Sequence, residues 1–292
     1  MIKRVLILVL AVSALTISCS SDDDGGPSTS NLVLNLTGLD DLGSDFVYEG
    51  WLIVNGAPVS TGTFSSVTFP QTFTVDASTL ANASTFVLSI EPAVDPDPAP
   101  AATKILAGDF SGNSASVTSN GIVGDFSSSA GTYILATPTD MDGMNEESGV
   151  WFLDNSSGSP MPGLNLPTLP DGWVYEGWAV INDTPVTTGT FTNVAGTDNA
   201  APFSGPVALP SPNPDGFFPG EDFLENAPAG LTFPTDLKGT TIVISVEPSP
   251  DNSPAPFTLK PLAHMVPANA DVHSAISMGA GPVMMLSGTV TR

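Results

Sequence analysis

Basic side chains are almost absent from this 292-residue chain: six Lys and Arg stand against 30 Asp and Glu, for a formal net charge of −24 at pH 7. Four of the six, Lys104, Lys238, Lys260 and Arg292, lie beyond the first four residues. So few cations cannot neutralise a phosphate backbone, which excludes nucleic-acid binding. Charge-driven docking on an anionic lipid surface is excluded for the same reason. Cysteine occurs once, at Cys19, so there is neither an internal disulfide nor a multi-thiolate metal site. The two histidines, His264 and His273, stand nine apart, without the close pairing of a zinc-binding helix. No Gly-x-Ser-x-Gly elbow and no Gly-x-x-x-x-Gly-Lys phosphate loop is present. An enzyme is therefore not expected. Charged residues make up only 12% of the chain, too few for the polar faces of long surface helices.

What is abundant points to strands. Hydrophobic residues reach 41%, enough for a sizeable core, and 28 Gly with 28 Pro supply turns. The expected fold class is all-β, built from two tandem β-sandwich-like repeats.

The amino terminus reads as a targeting segment. Lys3 and Arg4 precede an uncharged run from Val5 to Leu15, too short to span a bilayer. Leu15-Thr16-Ile17-Ser18-Cys19 follows, and it resembles the lipobox of bacterial lipoproteins, with Thr16 where Leu is usual. The resemblance implies lipidation at Cys19 and anchoring to a membrane through that lipid. Ser20-Ser21-Asp22-Asp23-Asp24-Gly25-Gly26-Pro27 is a charged, extended tether. Its acidic run also resembles the export signal of surface lipoproteins from Bacteroidota, which implies an outer-membrane location facing outward.

The remainder compares with itself. Phe46 to Phe64 aligns without a gap on Trp173 to Phe191, offset by 127 positions, with twelve of nineteen pairs identical. Phe86-Val87-Leu88-Ser89-Ile90-Glu91-Pro92 aligns on Ile242-Val243-Ile244-Ser245-Val246-Glu247-Pro248 at an offset of 156, and Lys104 falls on Lys260. The offsets differ by 29, so the second copy carries an insertion of about that size, rich in Pro and placed at about 192–240. Phe217, Phe218 and Phe223 lie near its middle and are read as pinning it to its own domain. The resulting divisions are 1–19 (signal and lipidation cysteine), 20–31 (tether), 32–145 (first repeat) and 146–292 (second repeat with the insertion).

Within each repeat, Val47–Val54 and Val174–Ile181 lead into Asn55-Gly56 and Asn182-Asp183, the chemistry of a tight hairpin turn. Further strands are expected at 32–36, 85–90, 133–136, 150–153, 241–246 and 283–286.

The order Val-Tyr-Glu-Gly-Trp, Pro-Val-Ser-Thr-Gly-Thr-Phe and Ser-Ile-Glu-Pro resembles the anti-sigma-K factor C-terminal domain family, in both copies. That resemblance implies a β-sandwich lying outside the cytoplasmic membrane. Sigma-factor binding is not carried over, because a lipid signal and tether stand where the family's sigma-binding domain and membrane span would be. The repeated motif residues are Tyr48, Glu49, Trp51, Glu91 and Lys104, and then Tyr175, Glu176, Trp178, Glu247 and Lys260.

An acid embedded in an apolar strand must be paired, protonated or metal-bound. One glutamate–lysine contact per repeat is expected: Glu49 or Glu91 with Lys104, and Glu176 or Glu247 with Lys260. Trp51, Trp151, Trp173 and Trp178 are read as core before glycan platform. Asp140, Asp142, Asn145 and Glu147 follow part of a calcium-loop pattern, but without its full spacing. A solvated linker is the preferred reading there, with calcium as the one candidate cofactor. The expected function is a non-enzymatic, lipid-anchored envelope protein with a binding, structural or sensory role toward an unidentified protein or glycan. Surface adhesion or carbohydrate binding is the alternative, ahead of a hydrolase built on His264 or His273.

Overall fold

The computed structural model describes residues 28–208, 214–250 and 253–292. The signal segment, Cys19 and the tether up to residue 27 lie outside the described residues, as do Pro210 and Pro212 of the insertion and Asp251.

Alternation of side chains makes the first strand. In β1 (Thr29–Thr37), Leu32, Leu34 and Leu36 are buried while Asn35 and Thr37 face solvent. β2 (Phe46–Val54) and β3 (Ala57–Phe64) form the expected hairpin, with Asn55 and Gly56 both at positive φ. β4 (Gln71–Asp76) runs into the six-residue helix α1 (Ala77–Asn82), whose first turn is capped by Asp76 accepting from the Thr79 amide at 2.7 Å. β5 (Thr85–Pro92), β6 (Lys104–Ser111) and β7 (Ser114–Thr118) follow. Then come β8 (Ala130–Leu135), β9 (Gly149–Trp151) and three two-residue strands, β10 (Leu153–Asp154), β11 (Met161–Pro162) and β12 (Leu164–Asn165). β13 (Trp173–Ile181) and β14 (Thr184–Phe191) repeat the hairpin, and β15 (Gly220–Asp222) lies inside the insertion. β16 (Thr241–Pro248), β17 (Lys260–Met265), β18 (Ile276–Val283) and β19 (Ser287–Thr291) complete the chain.

These strands form two large antiparallel sheets. The first has the order β3-β2-β5-β6-β7-β19-β1-β4, and the second β14-β13-β16-β17-β18-β8-β9-β15, with β12 also paired to β8. Each is nearly closed, since β3 lies beside β4 and β14 beside β15. The two orders match position for position.

The match exposes an exchange. β8 follows β7 in the chain but pairs with β18 in the second sheet, while β19 follows β18 but pairs with β7 and β1 in the first. Each half of the chain thus completes the sheet of the other, and the sheets do not part at 145/146. This also displaces the strand expected at 283–286. β18 ends at Val283, and the following residues cross between sheets, with Leu286 buried and its amide held by the Ser119 hydroxyl at 2.9 Å.

Arg292 fixes the incoming strand. Its guanidinium donates to the carbonyls of Leu80 (2.7 Å), Ala83 (2.8 Å) and Gly112 (3.0 Å) and lies 4.4 Å from the centre of the Phe110 ring. Those carbonyls include the C-terminal end of α1, where a cation is favoured. One apolar core runs through both sheets, from Leu32 and Phe86 to Ile244 and Val290. A smaller cluster joins Ile134, Trp151, Leu153 and Phe218.

Candidate functional site

The glutamate and tryptophan of each repeated hairpin strand lie on the face opposite the aliphatic core, and its tyrosine lies within that core. In β2, Tyr48 and Leu52 point into the core, and Gly50 sits between them because a Cβ there would meet the Thr61 hydroxyl at 2.5 Å. Glu49 and Trp51 point the other way, and β5 sets Ser89 opposite Glu49. The Trp51 indole donates to the Ser89 hydroxyl at 2.8 Å, and that hydroxyl donates to Glu91. The loop after Pro92 folds back, so that the Ala101 amide donates to the same Glu91 oxygen at 2.9 Å. Burial pushes the Glu91 carboxyl above its ordinary range, against the pull of these two donors, with Glu49 and Asp95 adding repulsion. Glu49, half-buried, accepts from the Ser60 hydroxyl of β3.

The second sheet has the same relay at the aligned positions. Trp178 donates to Ser245 at 2.8 Å, Ser245 to Glu247, and the Phe257 amide to Glu247 at 2.9 Å. Thr187 takes the place of Ser60 and donates to Glu176. Outside the relay, the Tyr48 and Tyr175 hydroxyls donate to carbonyls eight residues back, at Asp40 (2.8 Å) and Pro167 (2.6 Å). Ser89 and Ser245, the centre of each relay, are aligned residues that were not among those singled out in the sequence.

The expected glutamate–lysine contact takes another form. Lys104 donates to the Ala101 carbonyl at 3.0 Å, and Lys260 to the Phe257 carbonyl at 2.6 Å. Each lysine thus holds the carbonyl of the very residue whose amide holds the glutamate. It braces the loop over the acid, because the carboxylate is enclosed by that loop. Burial lowers the Lys260 pKa, with Asp40 and Glu247 opposing the shift.

Two openings adjoin these relays. One, of about 410 Å³, is walled by Glu49, Trp51, Ser60, Glu91 and Asp95. The other, of about 530 Å³, lies between the 40–46 loop and the 253–257 loop, and bridges the two halves of the chain. Both are acidic.

The four tryptophans are all core, none more than 3% exposed, so none forms a glycan platform. In the Asp140 loop the oxygens are engaged locally: Asn145 donates to Asp140 at 2.7 Å, and Thr137 to Asn145 at 3.1 Å. Among the described residues, no group of three or more His, Cys, Asp or Glu is arranged to hold a metal ion. Asp140, Asp142, Asn145 and Glu147 are thus not drawn together as ligands. His264 meets the Tyr133 hydroxyl at 3.0 Å, and His273 lies 3.4 Å from Glu146. Of the insertion's aromatics, Phe223 is buried against Phe203 and Phe233, Phe218 is buried in the smaller cluster, and Phe217 is half exposed.

One group escaped the sequence reading: Asp198, Glu221 and Asp222, all within the insertion. Glu221 and Asp222 are fully buried. The available signal was an acidic pair set between Phe217-Phe218 and Phe223-Leu224, an apolar setting that solvated acids do not need.

Residues 26–105 match the family described as anti-sigma-K factor rskA, C-terminal. The matched segment runs from just before β1 to the start of β6 and contains the first relay up to Lys104. That segment is similar to an anti-sigma-K factor C-terminal domain. No curated protein and no solved structure gives a significant match.

Proposed function

We propose that this chain is a non-enzymatic, lipid-anchored envelope protein that presents two copies of an anti-sigma-K C-terminal-like β unit outside the cytoplasmic membrane. The observation that carries the reading is adjacency: the family match begins at residue 26, within the acidic tether that follows a lipobox-like Cys19. The matching strand order and the equivalent Trp–Ser–Glu relays support two copies of one unit. Their part is to bind or sense at the envelope, through the acidic openings beside the relays. A cation or a basic protein segment is the chemistry those openings favour. Sigma-factor binding is not part of this reading. A tryptophan-lined sugar platform has no exposed tryptophan to build it, and His264 meets the Tyr133 hydroxyl rather than a serine or cysteine.

The test is metabolic labelling with an alkyne-bearing fatty acid, combined with protease treatment of intact cells. Labelled, membrane-retained protein that becomes unlabelled in Cys19→Ala is the expected result. Digestion that spares a periplasmic marker places the units on the outer surface. Wild-type protein that carries no label contradicts the reading.

A further inference from the structure

The insertion is fastened to the second sheet by acids. Asp222 accepts from the Thr139 amide (2.8 Å) and hydroxyl with one oxygen, and from the Trp151 indole (2.7 Å) with the other. Glu221 accepts from the Ser204 hydroxyl, the Asp222 amide (2.9 Å) and the Phe203 amide (3.3 Å). Asp198 accepts from the Gly220 amide at 2.9 Å, while its neighbour Asn199 bonds Thr190 of β14 through amide and side chain, both at 2.9 Å. These contacts tie three segments together: the arm around 198–205, β15, and the sheet edge formed by β9 and β14.

The surroundings hold donors but little positive charge. β9 and β14 carry no charged residue. The loop before β9 carries Asp140, Asp142, Glu146 and Glu147, and Asp140 adds repulsion to Asp222. His273 is set against Glu146, Glu225 follows β15, and Lys238 follows the Leu237 amide that bonds the Glu147 carbonyl. Asp183 sits at the distant turn before β14.

We propose that Asp198, Glu221 and Asp222 form a proton-operated clasp. Protonated, they hold the 198–205 arm against β15 and β15 against β9; ionised together, they release them. The physical reason is that Glu221 and Asp222, adjacent and fully buried, and Asp198, bonded to the neighbouring Gly220 amide, cannot all be charged without losing hydration that these neutral donors only partly replace. Burial accordingly pushes Asp198 and Asp222 up to about 7 and Glu221 up to about 8, with the hydrogen bonds opposing. Raised carboxyl pKa values fix the sign. The clasp is at full strength below the ordinary carboxyl range and weakens as pH rises through about 8. The clasp makes the insertion a pH-responsive element, exposing or covering the β14 edge.

Trp151 supplies the reporter, because its indole N–H bonds an acid, whereas those of Trp51 and Trp178 bond serine hydroxyls. In 15N-labelled full-length protein, the Trp151 indole resonance, bonded directly to Asp222, should titrate with a midpoint near neutral pH. Intrinsic-rate-corrected exchange protection at the Phe203, Gly220 and Asp222 amides should fall by at least about a hundredfold from pH 5 to pH 8, each released group contributing up to a factor of ten per pH unit. Asp222→Asn should abolish the indole titration, and Glu221→Gln should flatten the loss of protection by about tenfold or more. A Trp151 resonance that does not move over this range, or protection that does not change, overturns the clasp. Both wild-type readouts decide the matter even if a variant fails to fold.

Discussion

The two hairpins that share twelve of nineteen residues meet different surroundings. In the first, β3 is mostly exposed: Val59 is 39% exposed, and Ser60 faces solvent beside a half-buried Glu49. In the second, the counterpart Val186 is 2% exposed and Glu176 is 5% exposed. The insertion contributes directly to this difference. A Cβ at Gly189 would meet Asp198 at 2.8 Å and Ala200 at 3.0 Å, and Asn199 bonds Thr190, whereas a Cβ at Gly62 would meet only the ring of Phe73, at 4.0 Å. The Trp–Ser–Glu relay nevertheless keeps the same geometry in both settings. Its common task is therefore to tie the loop after Glu-Pro to the sheet, and what differs is access to it. In the first half that access leaves an acidic opening; in the second the same edge is under the insertion.

Breaking the exchange of strands should cost most. Val290 of β19 is fully buried between β1 and β7, and Val290→Asp places an unpaired charge there. Unfolding by urea should show a loss of about 4 kcal/mol or more. Next come the relay serines. Ser89→Ala and Ser245→Ala each leave a buried indole N–H and a carboxyl without the hydroxyl between them, which should cost about 1–3 kcal/mol. Removal of Ser245 should cost more, because the second relay lies under a covered edge, and equal losses would show that covering does not matter. Tyr48→Phe and Tyr175→Phe should each cost about 1 kcal/mol, since each deletes one hydroxyl-to-carbonyl bond of the same kind. The lysines come last. Lys260→Met should cost about 1 kcal/mol, since its ammonium is half-buried on the Phe257 carbonyl. Lys104→Met, at an exposed position, should stay within about 0.5 kcal/mol.

Much of this was legible because local chemistry decided it. Alternating leucines specified β1, and Asn55-Gly56 and Asn182-Asp183 specified both hairpin turns. The alignment singled out the Trp and Glu pairs, but not Ser89 and Ser245, which join them. What stayed hidden was decided at long range. Ala130–Leu135 and Ser287–Thr291 are ordinary strand sequences whose partners lie 140 residues or more away in β18 and β7, and no local pattern says which sheet each joins. The lysines hydrogen-bond carbonyls instead of carboxylates, because composition can pair charges but cannot show that a loop stands between them, although Lys260 still feels the charge of Glu247. Glu221 and Asp222 escaped because acids in a Pro-rich loop usually face water. Here a three-residue strand carries them under Phe203 and against Trp151.

The exchange of β8 and β19 underlies the comparison of the two halves, and cross-linking tests it directly. Ser116 of β7 faces Thr289 of β19, and Thr132 of β8 faces Ser277 of β18. In a Cys19→Ser background, Ser116→Cys with Thr289→Cys, and separately Thr132→Cys with Ser277→Cys, should each oxidise to a disulfide within one chain. Monomeric protein with a reducible internal link in both pairs is the expected result. Free thiols in both, or links formed only between chains, would contradict the exchange.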